Sequence, residues 1–157
     1  MSARPHQQTP ITIANSFWPL PTVMTAGQPT EAQLRELASA GVTTILDLRP
    51  ATEERGYDEA RMAEAAGLRY RRLPVTAESL DAATFDTVRE VLRIRGDSPM
   101  LVHCASANRV GAVLLPYLML DEGMSPDEAI ELATRIGLRS PELLAKAQAY
   151  INAVPNR

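Results

Sequence analysis

Short apolar segments that alternate with longer amphipathic ones are the feature that most constrains the fold of this chain. Three segments are predicted strands: VTTILDLRP begins with a β-branched run, PMLVH is apolar throughout, and LRYRRLPV, which carries three arginines, follows the glycine that closes a helix-like segment. The segments between and after them repeat apolar residues every three or four positions, as helices do. Because strands that alternate with helices pair in parallel, we predict an α/β fold with a mostly parallel central sheet flanked by helices.

Capping residues mark the ends of several predicted helices. Thr30 can cap a helix that Gly41 ends, and Ser125 and Ser140 each precede a proline at the first helical position. Pro116 interrupts the apolar segment RVGAVLLPYLMLDEG. Since proline cannot donate a helical hydrogen bond, we expect a kinked or shortened helix there.

The length and charge of the chain limit its organisation and its partners. A chain of 157 residues is long enough for one domain with its own core. We predict a loose tail over residues 1–10 and a single domain over residues 11–157. The net charge is −3 and no polybasic segment is present, which argues against nucleic acid and anionic membranes as partners.

The cysteine and histidine counts limit the chemistry. The chain has one cysteine, Cys104, and two histidines, His6 and His103, so their spacing outlines no metal site. No glycine-rich nucleotide motif is present, and we expect no cofactor. A single cysteine cannot form an internal disulfide, the first residues lack a secretory apolar core, and the longest apolar run is too short to span a bilayer. We therefore expect a cytoplasmic protein.

Cys104 lies where the strand PMLVH ends and the next helix begins. In a parallel sheet this is the carboxyl edge, where ligands bind. The N–H groups of residues 105–109 can converge there on an anion, beside the positive end of the helix dipole. With Arg109 close by, this field favours a thiolate, and the guanidinium suits two oxygens of a phosphate. The pattern predicts a nucleophile and an anion clamp; the alternative is a buried, inert cysteine.

The segment HCASANRVGA resembles the signature loop of the cysteine-dependent protein tyrosine and dual-specificity phosphatases. The segments TAGQPTEAQLRELASAGVTTILDLRPATEERG, GLRYRRLPV and PMLVHCASANRVGA are similar, in order and spacing, to a phosphatase-like family that includes the amino-terminal part of the β-lactamase hydrolase-like proteins. The similarity covers about residues 22–135. It implies a phosphotyrosine phosphatase-like fold and the hydrolysis of phosphate monoesters through a cysteinyl-phosphate.

The resemblance also implies roles for individual residues. Cys104 attacks phosphorus, while Arg109 and the N–H groups of the loop hold the equatorial oxygens. The loop residues are Ala105, Ser106, Ala107 and Asn108. Ser106 could stabilise the departing thiolate, and His103 either bonds the loop backbone or packs beneath it.

Arg49 follows another strand and is expected at the same edge of the sheet as Cys104. It either neutralises an anionic substrate or pairs with Glu53 or Glu54.

A phosphatase also needs a general acid that protonates the leaving oxygen. Similar phosphatases carry it in the segment that reads PVTAESLDAATFD here. Relatives often have an acid directly after PV, where this chain has Thr76, so Glu78 and Asp81 are the candidates. Asp81 also suits the cap of the helix that follows.

The cysteine loop departs from the tyrosine phosphatase pattern in two ways. Four residues rather than five separate Cys104 from Arg109, as is typical of rhodaneses, and the loop lacks an internal glycine. Asn108 is then the residue best suited to a left-handed conformation.

These departures leave two alternatives to a phosphatase. One is a rhodanese-like sulfurtransferase that carries a persulfide on Cys104, and the other is a non-catalytic oxyanion-binding module. The expected partners are a phosphorylated small molecule or a phosphoprotein, with a phosphate or sulfate ion in the loop.

Overall fold

The computed structural model describes residues 13–155, so the predicted tail over residues 1–10 lies outside the described residues. Five strands in this range form one sheet: β1 (Phe17–Leu20), β2 (Val23–Ala26), β3 (Thr44–Asp47), β4 (Arg69–Arg72) and β5 (Met100–His103). Six helices lie in the same range: α1 (Glu31–Ser39), α2 (Glu59–Ala65), α3 (Ala82–Ile94), α4 (Asn108–Leu120), α5 (Pro126–Ile136) and α6 (Pro141–Ala153).

The sheet confirms the predicted parallel pairing. Its strand order is β1-β2-β5-β3-β4, and every neighbouring pair is parallel except β1 with β2. Strand β5 is the central strand, and its Leu101 pairs with Met24 on one side and Ile45 on the other. The residue that follows β5 therefore emerges at the middle of the carboxyl edge.

Helices cover both faces of the sheet. Because side chains alternate along a strand, Leu101 and Val102 of β5 point into different core clusters. The cluster around Leu101 includes Leu34 of α1 and Ala63 of α2. The cluster around Val102 includes buried residues of α3, α4, α5 and α6. This two-faced burial explains why PMLVH is apolar throughout.

The strands β1 and β2 were not expected from the sequence. Pro19 lies within β1 and Pro21 follows it, and a proline normally argues against a strand. Strand β1 is tolerated because it lies at the edge of the sheet, and its register with β2 is irregular between Phe17 and Leu20. A missing N–H need not cost a ladder bond at such an edge.

Helix α4 passes through Pro116 and ends at Leu120, so the expected shortening is wrong. All nine residues from Val110 to Leu118 are buried. The burial of these mostly apolar side chains offsets the one hydrogen bond that proline cannot donate. Within residues 13–155, none of the helices combines the length and the apolar character needed to cross a bilayer.

Candidate active site

Cys104 is the first residue after β5, and its side chain is buried. The N–H of Ala107 donates a hydrogen bond to its Sγ atom over 3.1 Å. Its own N–H donates to the carbonyl oxygen of Ala26, at the end of β2, over 3.3 Å. The sulfur is thus held at the centre of the loop by the loop's own backbone.

The turn from Cys104 into α4 depends on a left-handed residue, which is Ala107 (φ 74°). The expectation that Asn108 would adopt this conformation is wrong, because Asn108 is already the first residue of α4. A left-handed alanine is strained, and the loop packs closely on Gly137, where an added Cβ would lie 2.9 Å from the Ala107 Cβ. Ala107 occupies the cap position of α4 without a side-chain oxygen, so the first N–H groups of α4 stay available to an anion.

Gly27, in the turn AGQP after β2, supports the loop from the opposite side. A Cβ at this position would lie 2.6 Å from the carbonyl oxygen of Ala105, so only glycine fits. The same carbonyl accepts a hydrogen bond from the N–H of Gln28 over 3.2 Å. The end of β2 therefore fixes the first residue after the cysteine.

Arg109 closes the loop. Its guanidinium donates to both carboxylate oxygens of Glu53, over 2.8 and 3.1 Å, and to the carbonyl oxygen of Val75 over 3.0 Å. Burial works against its charge, but the hydrogen bonds and charges of Glu53 and Cys104 outweigh burial and raise the pKa of Arg109 above its usual value. Arg109 is therefore a permanent cation beside the sulfur.

Glu53 binds a second arginine, and Glu53, Arg49 and Arg109 are called the open cluster below. Arg49 donates to Glu53 over 2.8 Å, to the Gln28 side chain over 2.8 Å and to the Glu54 carbonyl oxygen over 3.1 Å. Of its two expected roles, the structure shows the ion pair with Glu53. The Arg109 hydrogen bond, the largest cause, and that of Arg49 lower the pKa of Glu53 to about 2 although partial burial opposes them.

His103 lies beneath the loop and is fully buried. Its Nδ1 atom is 3.2 Å from the Cys104 carbonyl oxygen, and its Nε2 atom is 2.5 Å from a carboxylate oxygen of Glu59. Both expected roles are thus present at once, the backbone bond and the packing. Since a carbonyl oxygen only accepts, the imidazole donates through Nδ1 to the loop backbone, and its Nε2 atom faces the Glu59 carboxylate.

The partners of His103 form a buried network, called the closed cluster. It consists of Asp47, Arg55, Glu59 and His103. Arg55 lies 2.8 Å from Asp47 and 3.4 Å from Glu59, and the Tyr70 hydroxyl also donates to Asp47. Two carboxylates thus face one guanidinium and the His103 imidazole. Burial and the hydrogen bond to Asp47 raise the pKa of Tyr70.

The closed cluster also contains the group of metal-ligand type found among residues 13–155. Ligand atoms of Asp47, Glu59 and His103 all lie within 4.8 Å of one another. Histidine and cysteine spacing did not reveal this group, because two of its members are carboxylates far apart in the sequence. The guanidinium of Arg55 lies against both carboxylates and compensates part of their negative charge.

The two candidate acids lie on the segment that follows β4. Asp81 caps α3, and its Oδ1 atom accepts hydrogen bonds from the N–H and the hydroxyl of Thr84, which lower its pKa. Glu78 is exposed, and its side chain forms no hydrogen bond or ion pair within the described range. Thr76 and Ser79 exchange hydrogen bonds in the turn between them. The segment starts at Val75, the residue that binds Arg109.

Within the described residues, the Ser106 hydroxyl makes no hydrogen bond to the Cys104 sulfur. Its Oγ atom accepts a hydrogen bond from Arg139 over 3.0 Å, and the donor to Cys104 is the N–H of Ala107 instead. Sequence reasoning did not single out Arg139, Glu53 as a partner of Arg109, or Glu59. Their contacts with the loop join residues 33, 56 and 44 positions apart, and no local spacing signals such contacts.

Comparison with known proteins identifies the family. A family model described as "Polymorphic toxin system, DSP-PTPase phosphatase" matches residues 22–123, which is more than half of the chain. The chain belongs to this DSP-PTPase phosphatase family. Within the DSP-PTPase match lie β2 to β5, the open and closed clusters, and the Cys104 loop with the helix it opens. The predicted resemblance to cysteine-dependent phosphatases is thereby confirmed.

Relatives of known sequence or structure agree with the DSP-PTPase assignment. The chain is 32% identical over 107 residues to the β-lactamase hydrolase-like protein of Xylella fastidiosa, a match that covers 66% of this chain but 25% of that protein. A phosphatase-like structure from Shewanella putrefaciens, assigned to DUF442, superposes with a TM-score of 0.75 at 21% identity over 95% of this chain and 96% of that chain.

A third similar structure holds a ligand. P. aeruginosa TpbA, in a cysteine-to-serine variant bound to phosphotyrosine, superposes with a TM-score of 0.70 at 20% identity over 93% of this chain and 91% of that chain. At such identities the structural similarity shows the fold, which is the predicted single α/β domain with a phosphatase-like sheet. With the family match, the predicted cysteine-dependent, phosphatase-like function is confirmed at that level.

Proposed function

We propose that this domain hydrolyses phosphate monoesters with Cys104 as the nucleophile. The observation that carries the proposal is one short loop that joins a buried sulfur, unpartnered N–H groups at the start of α4, and the Arg109 guanidinium. The sulfur suits the attacking atom, and the N–H groups and the guanidinium suit the oxygens of a phosphoryl group. The phosphotyrosine bound to TpbA, whose chain has the same fold, supports a phosphorylated substrate here.

In the proposed reaction the Cys104 thiolate attacks phosphorus and the bond from phosphorus to the ester oxygen breaks. The leaving oxygen takes a proton from a general acid and departs as an alcohol or a phenol. Water then attacks the cysteinyl-phosphate, which releases inorganic phosphate and restores the thiolate. Loop N–H groups and Arg109 hold the equatorial oxygens in both steps, and Glu53 orients the guanidinium through two hydrogen bonds.

Of the two candidate acids, Glu78 suits the proton donor better than Asp81. Asp81 is engaged as a helix cap, and its lowered pKa keeps it ionised at neutral pH. A general acid, by contrast, must be protonated before the leaving oxygen departs. Glu78 is exposed and lies on the segment anchored to Arg109 through Val75.

Replacing Cys104 by Ser tests the nucleophile. We expect no measurable turnover of an aryl phosphate by the Cys104→Ser variant, together with retained binding of inorganic phosphate and an unchanged unfolding midpoint. The matched control is Ser106→Ala, which alters a hydroxyl two residues away and leaves the sulfur in place. Hydrolysis by Cys104→Ser at the wild-type rate would refute the mechanism.

The leaving group tests the acid. A nitrophenolate leaves without a proton, whereas phenolate needs one, so loss of the acid should affect phenyl phosphate far more than nitrophenyl phosphate. We expect Glu78→Gln to lower kcat for phenyl phosphate by about a hundredfold and for nitrophenyl phosphate by only a few-fold, in line with general acid catalysis. The matched variant Asp81→Asn should show no such difference. The reverse pattern would assign the acid role to Asp81.

The four-residue spacing between Cys104 and Arg109 keeps sulfur transfer as the second candidate. In that reaction Cys104 takes one sulfur atom from a donor such as thiosulfate, forming a persulfide and releasing sulfite. Two measurements separate the candidates. Intact mass after incubation with thiosulfate detects a persulfide, and an assay with an aryl phosphate detects ester hydrolysis. One added sulfur and no ester turnover would favour the transferase; phosphate turnover without a persulfide favours the phosphatase.

If the protein binds phosphate and turns over neither substrate, the remaining alternative is the oxyanion-binding module.

A cytoplasmic location stays a prediction. A thiolate nucleophile would need the reducing conditions of that compartment to avoid oxidation.

A further inference from the structure

The turn between α5 and α6 lies against the cysteine loop at unusually short distance. A Cβ on Gly111 would lie 2.7 Å from the carbonyl oxygen of Ala133 and from the Cβ of Leu138. One on Gly137 would lie 2.9 Å from the Cβ and the carbonyl oxygen of Ala107. Glycine at both positions thus lets the backbone of this turn approach the loop and the start of α4.

Asn108 fastens the same turn to the loop. Its Oδ1 atom accepts hydrogen bonds from the N–H of Arg139 over 2.9 Å and from the N–H of Ser140 over 3.3 Å. One side chain at the start of α4 therefore binds two consecutive residues of the turn. The backbone of Arg139 is held by the loop itself, which fixes the origin of its side chain relative to Cys104.

The Arg139 guanidinium lies at the rim of the loop without a carboxylate. It donates to the Oγ atom of Ser106 over 3.0 Å and to the carbonyl oxygen of Gly137 over 3.2 Å, and both acceptors are neutral. Its side chain is exposed, and no ion pair to it forms within residues 13–155. Arg49 and Arg109, by contrast, both pair with Glu53. Arg139 is thus an uncompensated positive charge, bonded to a residue two positions after the nucleophile.

We propose that Arg139 binds a second anionic group, carried by the leaving group of the substrate; this inference rests on the proposed phosphatase function. With the phosphoryl oxygens held by the loop N–H groups and Arg109, the ester oxygen points out of the loop towards its rim. A guanidinium has five N–H donors, and Arg139 uses two of them, so donors remain for a carboxylate or a phosphate. The substrate class is a phosphate monoester with a second negative charge.

Three aryl phosphates that differ in the second charge test the proposal. Phenyl phosphate has none, carboxyphenyl phosphate has a carboxylate, and phenylene bisphosphate has a second phosphate. We expect Arg139→Gln to raise KM about tenfold for a charged ester and to leave KM for phenyl phosphate within about twofold, since a charge-assisted hydrogen bond is lost. The kcat values should be unchanged and Arg139→Lys should restore part of the loss. The charged ester with the larger change identifies the preferred second anion.

The matched control is Arg135→Gln, on α5 four residues earlier. It removes the same charge, but its guanidinium lies over the ring of Phe17, 4.9 Å from the centroid. Arg135→Gln should not discriminate among the three esters. An equal loss on all three esters in Arg139→Gln would overturn the proposal, because Arg139 would then support the loop alone.

Binding to the Cys104→Ser protein separates this inference from the proposed function. Calorimetry should show that adding Arg139→Gln selectively weakens the binding of the charged esters, whether or not the wild type hydrolyses them. Selective weakening without turnover in the wild type would refute the phosphatase and keep the anion subsite. Turnover in the wild type with no selective weakening would refute the subsite and keep the phosphatase.

Discussion

The open and the closed cluster lie at the same edge of the sheet and use the same chemistry, arginines paired with carboxylates, but they differ in exposure. In the open cluster the paired side chains are 12–30% exposed. In the closed cluster they are 0–6% exposed. Water can compensate a lost partner in the first and not in the second.

This difference assigns the clusters different tasks. The closed cluster holds the end of β5 through His103 and so fixes where the cysteine loop begins. The open cluster presents Arg109 to the loop while Glu53 keeps it oriented. Arg109 must share its donors with a substrate, and its partner Glu53 is also accessible to solvent.

Removing a carboxylate from the closed cluster gives the largest expected effect. Asp47→Ala leaves the Arg55 guanidinium buried beside one fewer charge, and we expect the free energy of unfolding to fall by about 3–5 kcal/mol, as for other broken buried ion pairs. Urea denaturation measures it. The control Glu36→Ala removes an exposed carboxylate on α1 and should change stability by less than about 0.5 kcal/mol. If Asp47→Ala lowered the free energy of unfolding as little as the control does, the two clusters would not differ in the way proposed.

Removing Glu53 from the open cluster should have a smaller effect on stability that depends on pH. Because its pKa falls from 4.5 to about 2 in the folded state, its contribution is complete above about pH 4.5 and disappears as the pH falls to 2. With its side chain 30% exposed, we expect Glu53→Gln to cost about 1–2 kcal/mol at pH 7 and almost nothing near pH 2.

Unfolding measured across this pH range checks the expectation, with Glu54→Gln as the matched control on the next residue. An equal loss for Glu53→Gln at pH 7 and at pH 2 would show that the pairing with the arginines is not the cause.

Arg49 is the member of the open cluster whose loss should matter least. It pairs with Glu53, and three of its five N–H donors are engaged by Glu53, Gln28 and the Glu54 carbonyl oxygen. We expect Arg49→Gln to cost about 0.5–1 kcal/mol of stability and to leave the Kd for inorganic phosphate within about twofold, as for a partly exposed ion pair. A tenfold weaker Kd would instead show that Arg49 contributes to anion binding.

Local patterns in the sequence were sufficient for the alternation of strands and helices, and for placing Cys104 directly after β5 and Arg109 in the first turn of α4, because both depend on residues close along the chain. The β1 strand was missed because Pro19 hides its pattern and an edge position tolerates it. Glu53 and Glu59 were missed as partners because they meet the loop across 56 and 44 residues. The left-handed Ala107 packs against Gly137, in a turn that local propensity does not connect with the loop.

In the proposed mechanism, Cys104 carries the phosphoryl group during turnover. Acid quenching of the protein during hydrolysis of nitrophenyl phosphate, followed by intact mass and peptide mapping, tests it most directly. We expect one added phosphoryl group on the peptide that contains Cys104, present in the wild type and absent from Cys104→Ser. Steady turnover by the wild type with no phosphoryl group on Cys104 at any quench time would contradict it.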